Sequence, residues 1–487
     1  MNAVERWGVF EIELNGPSGG NPFTDMELRA TFSFRNRRLQ VDGFYDGDGR
    51  YKIRFSPDRD GEWSYRTHST VAELDGRSGR FQVGPPAPGN HGPVRVHGRS
   101  LFRYADGSRH ESYGTTCYHW THTGDLDHEQ LTLEALAGSP FNKVRMCILP
   151  TQNMQPDRLA FVGSSPETLD RTRFNVEFFQ HLEGRIGDLG RLGIEADLIL
   201  FHPYDKGHWG VDNMTPEQDR FFLRYVVARL AAFRNVWWSI SNEYDFNRAK
   251  TVADWDDLLL YLQRIDPYRR LSSIHNGTRM YEYVSIYDFD KPWTTHQSIQ
   301  HWDAALAAGW RTRHPRPVVI DEIGYEGDID RRWGNLTGRE MVRRFWHGMA
   351  AGGFVGHGEC YVDNPHGHWI SRGGELIGDS PARIAFLRSV IDDAPADWIN
   401  TPGYQLIYFG ERVPAGHVLE LGTEDHLIDI IDTWQMTVQS LPGLHRGRCT
   451  VPLGRSDLAI RVRRAAASDI GSAPEAGSES AAAGEAA

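Results

Sequence analysis

The sequence predicts an α/β protein, a (β/α)8 TIM barrel flanked by an N-terminal β-sandwich and a small C-terminal β-domain. Three observations predict it. Apolar runs alternate with amphipathic helical stretches over roughly 300 residues in the middle of the chain. The first 84 residues instead read as short strands between polar turns, and helical patterning stops at about residue 396. A chain of 487 residues also exceeds what one hydrophobic core supports, so several domains are expected. A doubly wound open sheet is the alternative to the barrel, but no GxGxxG or Walker A loop follows a strand.

Taken in order, WGVFEIEL, LRATFSF, YKIRFSP, EWSYRTHS and GRFQVG are the strands of the first domain, residues 1–84, and GDGR, SPDRDG and LDGRSG are its turns. GPPAPGNHGP, 84–93, has the proline and glycine density of a boundary. The barrel is expected over 94–395, with strands at 112–118, 143–149, 195–201, 236–241, 271–275, 293–297, 317–321 and 352–357. The clearest helix is TPEQDRFFLRYVVARLAAF, where Thr215 is a natural N-cap, Pro216 suits the first turn and Gln218 completes a capping box. Residues 396–464 read as short strands again. The last stretch, 465–487, has almost no apolar bulk and is expected to be disordered.

Charge and cysteine usage narrow the partners. With 53 basic against 65 acidic residues the net charge is −12, which disfavours nucleic acid and anionic membranes. No stretch resembles a secretion signal or a membrane span, so a cytoplasmic protein is expected. Cys117, Cys147, Cys360 and Cys449 are widely spaced and fit reduced thiols better than a disulfide framework. The 15 Trp, 18 Tyr and 23 Phe suit flat sugar faces as well as large cores. A homo-oligomer is compatible with all of this.

In such a barrel the site lies at the C-terminal ends of the strands, so polar residues that end an apolar run are the candidates. They are Trp120, Arg145, His202, Tyr204, Asn242, Glu243, His275, Asn276, His296, Gln297, Asp321, Glu322, Tyr325, His357 and Glu359. Glu243 and Glu322 matter most. Cleavage of a glycosidic bond needs one carboxyl to protonate the leaving oxygen and a second to attack or to activate water. Asp321, adjacent to Glu322, is expected by strand alternation to point out of the barrel.

SNE at the end of the fourth strand and DEIGY at the end of the seventh resemble motifs of the superfamily of retaining (β/α)8 glycoside hydrolases that includes cellulase-like and apiosidase-like domains. GFYDGDGRYKIRFSPDRDGEWSY (43–65) is similar to the β-sandwich preceding such domains, and GHGECY with SRGGELIGDSPARIAFLR (356–388) to the eighth-strand region. The resemblance implies Glu243 as acid/base, Glu322 as nucleophile, Asn242 as partner of the sugar hydroxyl beside the anomeric carbon, and Arg145 as the cation that keeps Glu322 ionised. It implies a retaining glycoside hydrolase; a cytoplasmic one would meet small imported oligosaccharides or glycosides, so an exo-acting enzyme with a pocket is expected.

HGH in GHGECYVDNPHGHW is weak evidence for a metal, and no cofactor or metal is expected. The histidines and Glu359 are instead expected to bond sugar hydroxyls, with Trp120 and Trp369 as stacking platforms. Two competing readings remain open: a non-catalytic carbohydrate-binding protein on a hydrolase scaffold, and a metal-dependent hydrolase using the histidine-rich eighth loop.

Overall fold

The computed structural model describes residues 3–152, 154, 158–277 and 286–466. It divides into two compact units, one up to residue 385 and one from 386 onward. Of the expected tail, everything from residue 467 lies outside the described residues.

The first unit opens with a β-sandwich. A five-stranded sheet, ordered Ala3–Glu5, Ser78–Gly84, Gly61–Ser69, Leu28–Phe34, Arg37–Asp42, faces a three-stranded sheet of Phe10–Asn15, Arg50–Phe55 and Phe44–Tyr45. Alternation does the sorting: along Phe10–Asn15 buried Phe10 and Ile12 interleave with exposed Glu11 and Glu13. The inward positions are largely aromatic, and Phe10 stacks on Phe81 at 3.7 Å while Phe32 stacks on Phe55 at 4.0 Å. Arg54 and Arg229 join the sandwich to the barrel. Arg229 Nε donates to Glu183 Oε1 at 2.6 Å, its Nη2 is 2.8 Å from Asp46, and Arg54 Nη2 donates to Glu183 Oε2 at 2.9 Å. Both guanidiniums lie over the Phe44 ring, so charge and apolar surface are buried together.

A hairpin sheet of Val94–His97, Leu101–Tyr104 and Arg109–His110 follows. Its Phe102 packs on Trp237, His296 and Phe354 and plugs the lower end of the barrel. The barrel strands are β1 (Tyr113–Thr116), β2 (Lys143–Cys147), β3 (Glu195–Phe201), β4 (Val236–Ser241), β5 (Ser272–Ser273), β6 (Gln297–Gln300), β7 (Val318–Glu322) and β8 (Phe354–His357). Neighbours run parallel in the order β5-β4-β3-β2-β1-β8-β7-β6, and a parallel bridge between His275 and Ser298 closes the ring. Helix Pro216–Leu230 begins with the expected Thr215–Gln218 capping box.

Two strand readings are corrected. β6 begins at Gln297, so His296 and Gln297 stand at its start and Gln300 at its mouth end. Three of the four residues of β6, Gln297, Ser298 and Gln300, are polar yet buried, which hides the strand from a search for apolar runs. Asp321 points into the barrel: its carboxylate accepts from Lys143 Nζ at 2.5 Å and from Ser298. The cause is a register shift between Ile299 and Gln300, which pairs Gln300 with Glu322 instead of Asp321 and breaks the alternation on β7.

The second unit contains a four-stranded antiparallel sheet, ordered Tyr404–Tyr408, Leu458–Arg464, His426–Asp432, Thr437–Ser440, and the pair Gly416–Glu420 with Arg448–Pro452. Leu419, Ile428, Val451 and Ile460 form its core. All four cysteines are free, and among the described residues no helix is long and apolar enough to cross a membrane.

Candidate active site

β2 places Lys143, Arg145 and Cys147 on the inner face by period-two alternation. The first two build a charged layer under the mouth. Lys143 Nζ donates to Asp197 Oδ2 at 2.8 Å as well as to Asp321, and Arg145 Nε lies 3.7 and 3.8 Å from the same two carboxylates. With its lower edge held, Arg145 reaches upward: Nη1 donates to Glu322 Oε1 at 3.1 Å and Nη2 to Asn242 Oδ1 at 2.6 Å. Asn242 Nδ2 donates to the Tyr204 hydroxyl at 2.6 Å, and that hydroxyl donates to Glu243 Oε2 at 2.7 Å. One chain of hydrogen bonds thus links both glutamates through three elements.

Glu322 is crowded with donors. Besides Arg145 it accepts from the Tyr118 hydroxyl at 2.6 Å, and His275 Nε2 lies 3.3 Å away while its other ring nitrogen meets Ser298 Oγ at 3.0 Å. The Tyr325 hydroxyl stands 3.0 Å from that of Tyr118. Gln300 Nε2 bridges the two carboxylates, 2.9 Å from Glu243 Oε1 and 2.7 Å from Glu322 Oε2. Asn276 fixes Gln300 by bonding its backbone N–H and carbonyl.

Burial and charge separate the two acids. Burial, and then the Glu322 charge, push Glu243 up to about 7, against the pull of Tyr204 and Gln300. Burial acts the same way on Glu322, but His275, Arg145 and Tyr118 outweigh it and hold this carboxyl well below the usual range. Burial, followed by the glutamate charges, raises Tyr118 and Tyr204 well above the ordinary phenol range, so both stay hydroxyl donors.

The backbone at Glu243 is left-handed, φ 41°, a conformation that costs a non-glycine residue on the order of 1–3 kcal/mol. Gly277 makes room for it, since a Cβ there would sit 2.7 Å from Glu243 Cβ. Both glutamates line a cavity of about 470 Å³. Phe246 and Trp333, 42 % and 40 % exposed, line it as well.

Of the residues expected from sequence, the structure brings together Glu243, Glu322, Asn242, Arg145, Tyr204, His275 and Tyr325. His202 lies directly behind, its ring stacked on Tyr204 and its Nε2 2.9 Å from the Leu149 carbonyl. Five others are corrected. Trp120 and Trp369 are fully buried, and Trp369 Nε1 donates to Thr115 Oγ1 at 2.8 Å, so neither offers a face to a sugar. His296 packs between Phe102 and Trp237 at the opposite end of the barrel. His357 stacks on Phe141, and Glu359 accepts the backbone N–H groups of Ile377 and Gly378, holding a loop. Sequence reasoning missed Tyr118, Gln300, Phe246 and Trp333. Tyr118 follows an apolar run and Phe246 lies three residues after Glu243, so position alone could have flagged them; Gln300 sits in no apolar run.

Residues 96–373 match the apiosidase-like catalytic domain. Residues 3–70 and 394–463 match two domains of unknown function, DUF5060 and DUF5605. A candidate glycoside hydrolase from Bacteroides vulgatus ATCC 8482 is 38% identical, with 96% of this chain and 100% of that one covered and a TM-score of 0.88. A glycoside hydrolase family 5 protein from the same organism shares the fold, with 12% identity, 77% of this chain and 93% of that one covered, and a TM-score of 0.60. No curated protein matches the chain.

Proposed function

The chain belongs to the apiosidase-like catalytic-domain family of glycoside hydrolases, and we propose that it cleaves small oligosaccharides or glycosides with retention, by double displacement. One observation carries this reading. Because a single nitrogen, Gln300 Nε2, bonds an oxygen of each glutamate at 2.9 and 2.7 Å, those oxygens are at most about 5.6 Å apart, near the roughly 5–5.5 Å of retaining enzymes and short of the roughly 6.5–9.5 Å an inverting enzyme leaves for water.

Glu322, ionised, attacks the anomeric carbon. Glu243, raised to about 7 and so able to hold a proton near neutral pH, gives that proton to the departing oxygen. In the second half Glu243, now a carboxylate, takes a proton from water, which displaces Glu322 with a second inversion. The neutral phenol of Tyr118 and the Arg145 guanidinium steady Glu322 as its charge is consumed and restored. Tyr118, Tyr204 and Gln300 line the cavity beside the two glutamates, and its volume of about 470 Å³ suits one or two sugar units, which supports exo action on a chain end over an open cleft. We place the enzyme in the cytoplasm, acting on imported glycosides.

A fluorosugar matched to the substrate tests this directly. The expected outcome is a mass increment on the peptide carrying Glu322 and a first-formed product that keeps the substrate's configuration. Labelling of Asp321, or a first product of inverted configuration, overturns the assignment.

A further inference from the structure

A second cavity, of about 250 Å³, opens where the sandwich meets the barrel. Pro267, Tyr268 and Arg270 lie just before β5, so this cavity is at the N-terminal ends of the strands, opposite Glu243 and Glu322. Four arginines line it: Arg37 and Arg59 from the sandwich, Arg95 from the hairpin sheet and Arg270 from the barrel. Asp58 is the only carboxylate in the lining, and both of its oxygens are taken by Arg37 Nη1 at 2.7 Å.

The inner two guanidiniums are fixed by neutral groups. Arg95 donates to the carbonyls of Arg269 and Tyr268 at 2.8 and 3.0 Å, and Arg270 Nε donates to that of Ala231 at 2.9 Å. Nearby Asp266 accepts the Arg270 backbone N–H and Trp238 Nε1 instead of the guanidinium. Arg270 is 3% exposed, and neither it nor Arg95 forms an ion pair with any described residue. Burial, and then the charge of Arg95, bring Arg270 down to about 10, against the pull of Asp266, Tyr268 and Glu195. Carbonyls orient a guanidinium without neutralising it; Asp266 attracts both groups, Asp58 attracts Arg95 and Glu195 attracts Arg270, but none of these carboxylates forms an ion pair with either, and two such groups lining one cavity favour an anion there.

We propose that this cavity binds the phosphate group of a small ligand, free or as a phosphate monoester. Guanidiniums match the oxygens of phosphate in pairs, and a cavity below the roughly 300 Å³ of ordinary drug-sized pockets limits the ligand to one such group with a short substituent. Arg59, exposed and without a side-chain bond to any described residue, is free to close over it.

Thermal unfolding and calorimetric titration of the full chain test this with inorganic phosphate and a hexose 6-phosphate, each against sodium chloride of equal ionic strength. The expected result is a saturable rise in Tm absent with chloride. Arg59→Gln should raise the half-saturating concentration about fivefold or more while Arg80→Gln, an exposed arginine paired with Glu62 elsewhere on the sandwich, leaves it unchanged. Tighter binding of the ester identifies an esterified ligand, and equal affinity identifies phosphate itself; both support the site. No saturable effect beyond chloride, or equal affinity in Arg59→Gln, overturns it. Turnover of an aryl glycoside by Arg59→Gln should match wild type, which separates this site from the hydrolase reading.

Discussion

The mouth ends of β4 and β7 each present a glutamate to the same cavity, and yet one is raised to about 7 while the other is held well below the usual carboxylate range. Burial raises both carboxyls, and it raises the less exposed Glu322 as well, so it cannot be the difference. Among the described residues, Arg145, His275 and the Tyr118 hydroxyl stand around Glu322, and the neutral donors of Tyr204 and Gln300 bond Glu243. Among the described residues a guanidinium bonds Glu322 and none bonds Glu243, and the proposed division of labour between proton donor and nucleophile rests on that asymmetry.

Removing the charge-rich partner breaks the comparison most completely. Glu322→Gln should lower turnover by about 10⁴-fold or more on every substrate, because no leaving group compensates for a missing nucleophile; steady-state rates on aryl and alkyl glycosides check this. Glu243→Gln should cost about 10³-fold on substrates with alcohol leaving groups and roughly tenfold or less on those with activated aryl groups, which need little protonation. Equal losses on both would contradict the acid role. Added azide should restore turnover and yield a glycosyl azide of retained configuration.

The next two variants sharpen the comparison through pH. Arg145→Gln removes a cation that favours ionised Glu322, so its pKa rises; the acid limb of kcat/KM should move to higher pH, with about a hundredfold loss at the optimum. Tyr204→Phe removes a hydrogen bond that favours the charged form of Glu243. Its pKa should climb from about 7, moving the basic limb, where the acid deprotonates, to higher pH with about a tenfold loss in rate. A basic limb that stays put in Tyr204→Phe would mean that another group sets it.

Much of this site was legible before folding. At β3, β4, β5 and β7 runs of apolar residues give way to Tyr204, Glu243, His275 and Glu322, and Arg145 interrupts one within β2; the geometric rule for barrels turns such positions into a list of candidates. The rule failed where burial was not apolar. QSIQ reads as polar surface but is a buried strand whose side-chain N–H groups find partners far along the chain: Gln297 donates to the carbonyl of His314, and Gln300 reaches Glu243. Trp120 and Trp369 failed in the opposite sense, since an aromatic ring suits a core and a sugar equally and only packing tells which.

The sequence by itself determined the barrel, the sandwich and the identity of the two glutamates, because periodicity and strand endings are local properties written in neighbouring residues. Only the tertiary structure decided which way Asp321 turns and how the two acids differ. Asp321 faces inward because one extra residue on β7 shifts its register against β6, a relation between two strands. The contrast between Glu243 and Glu322 depends on Tyr118, Arg145, His275 and Gln300, which come from four separate parts of the ring. Coulombic attraction and hydrogen bonding act over a few ångströms of space, whatever the distance along the chain, so the chemistry of the pair exists only once the ring has closed.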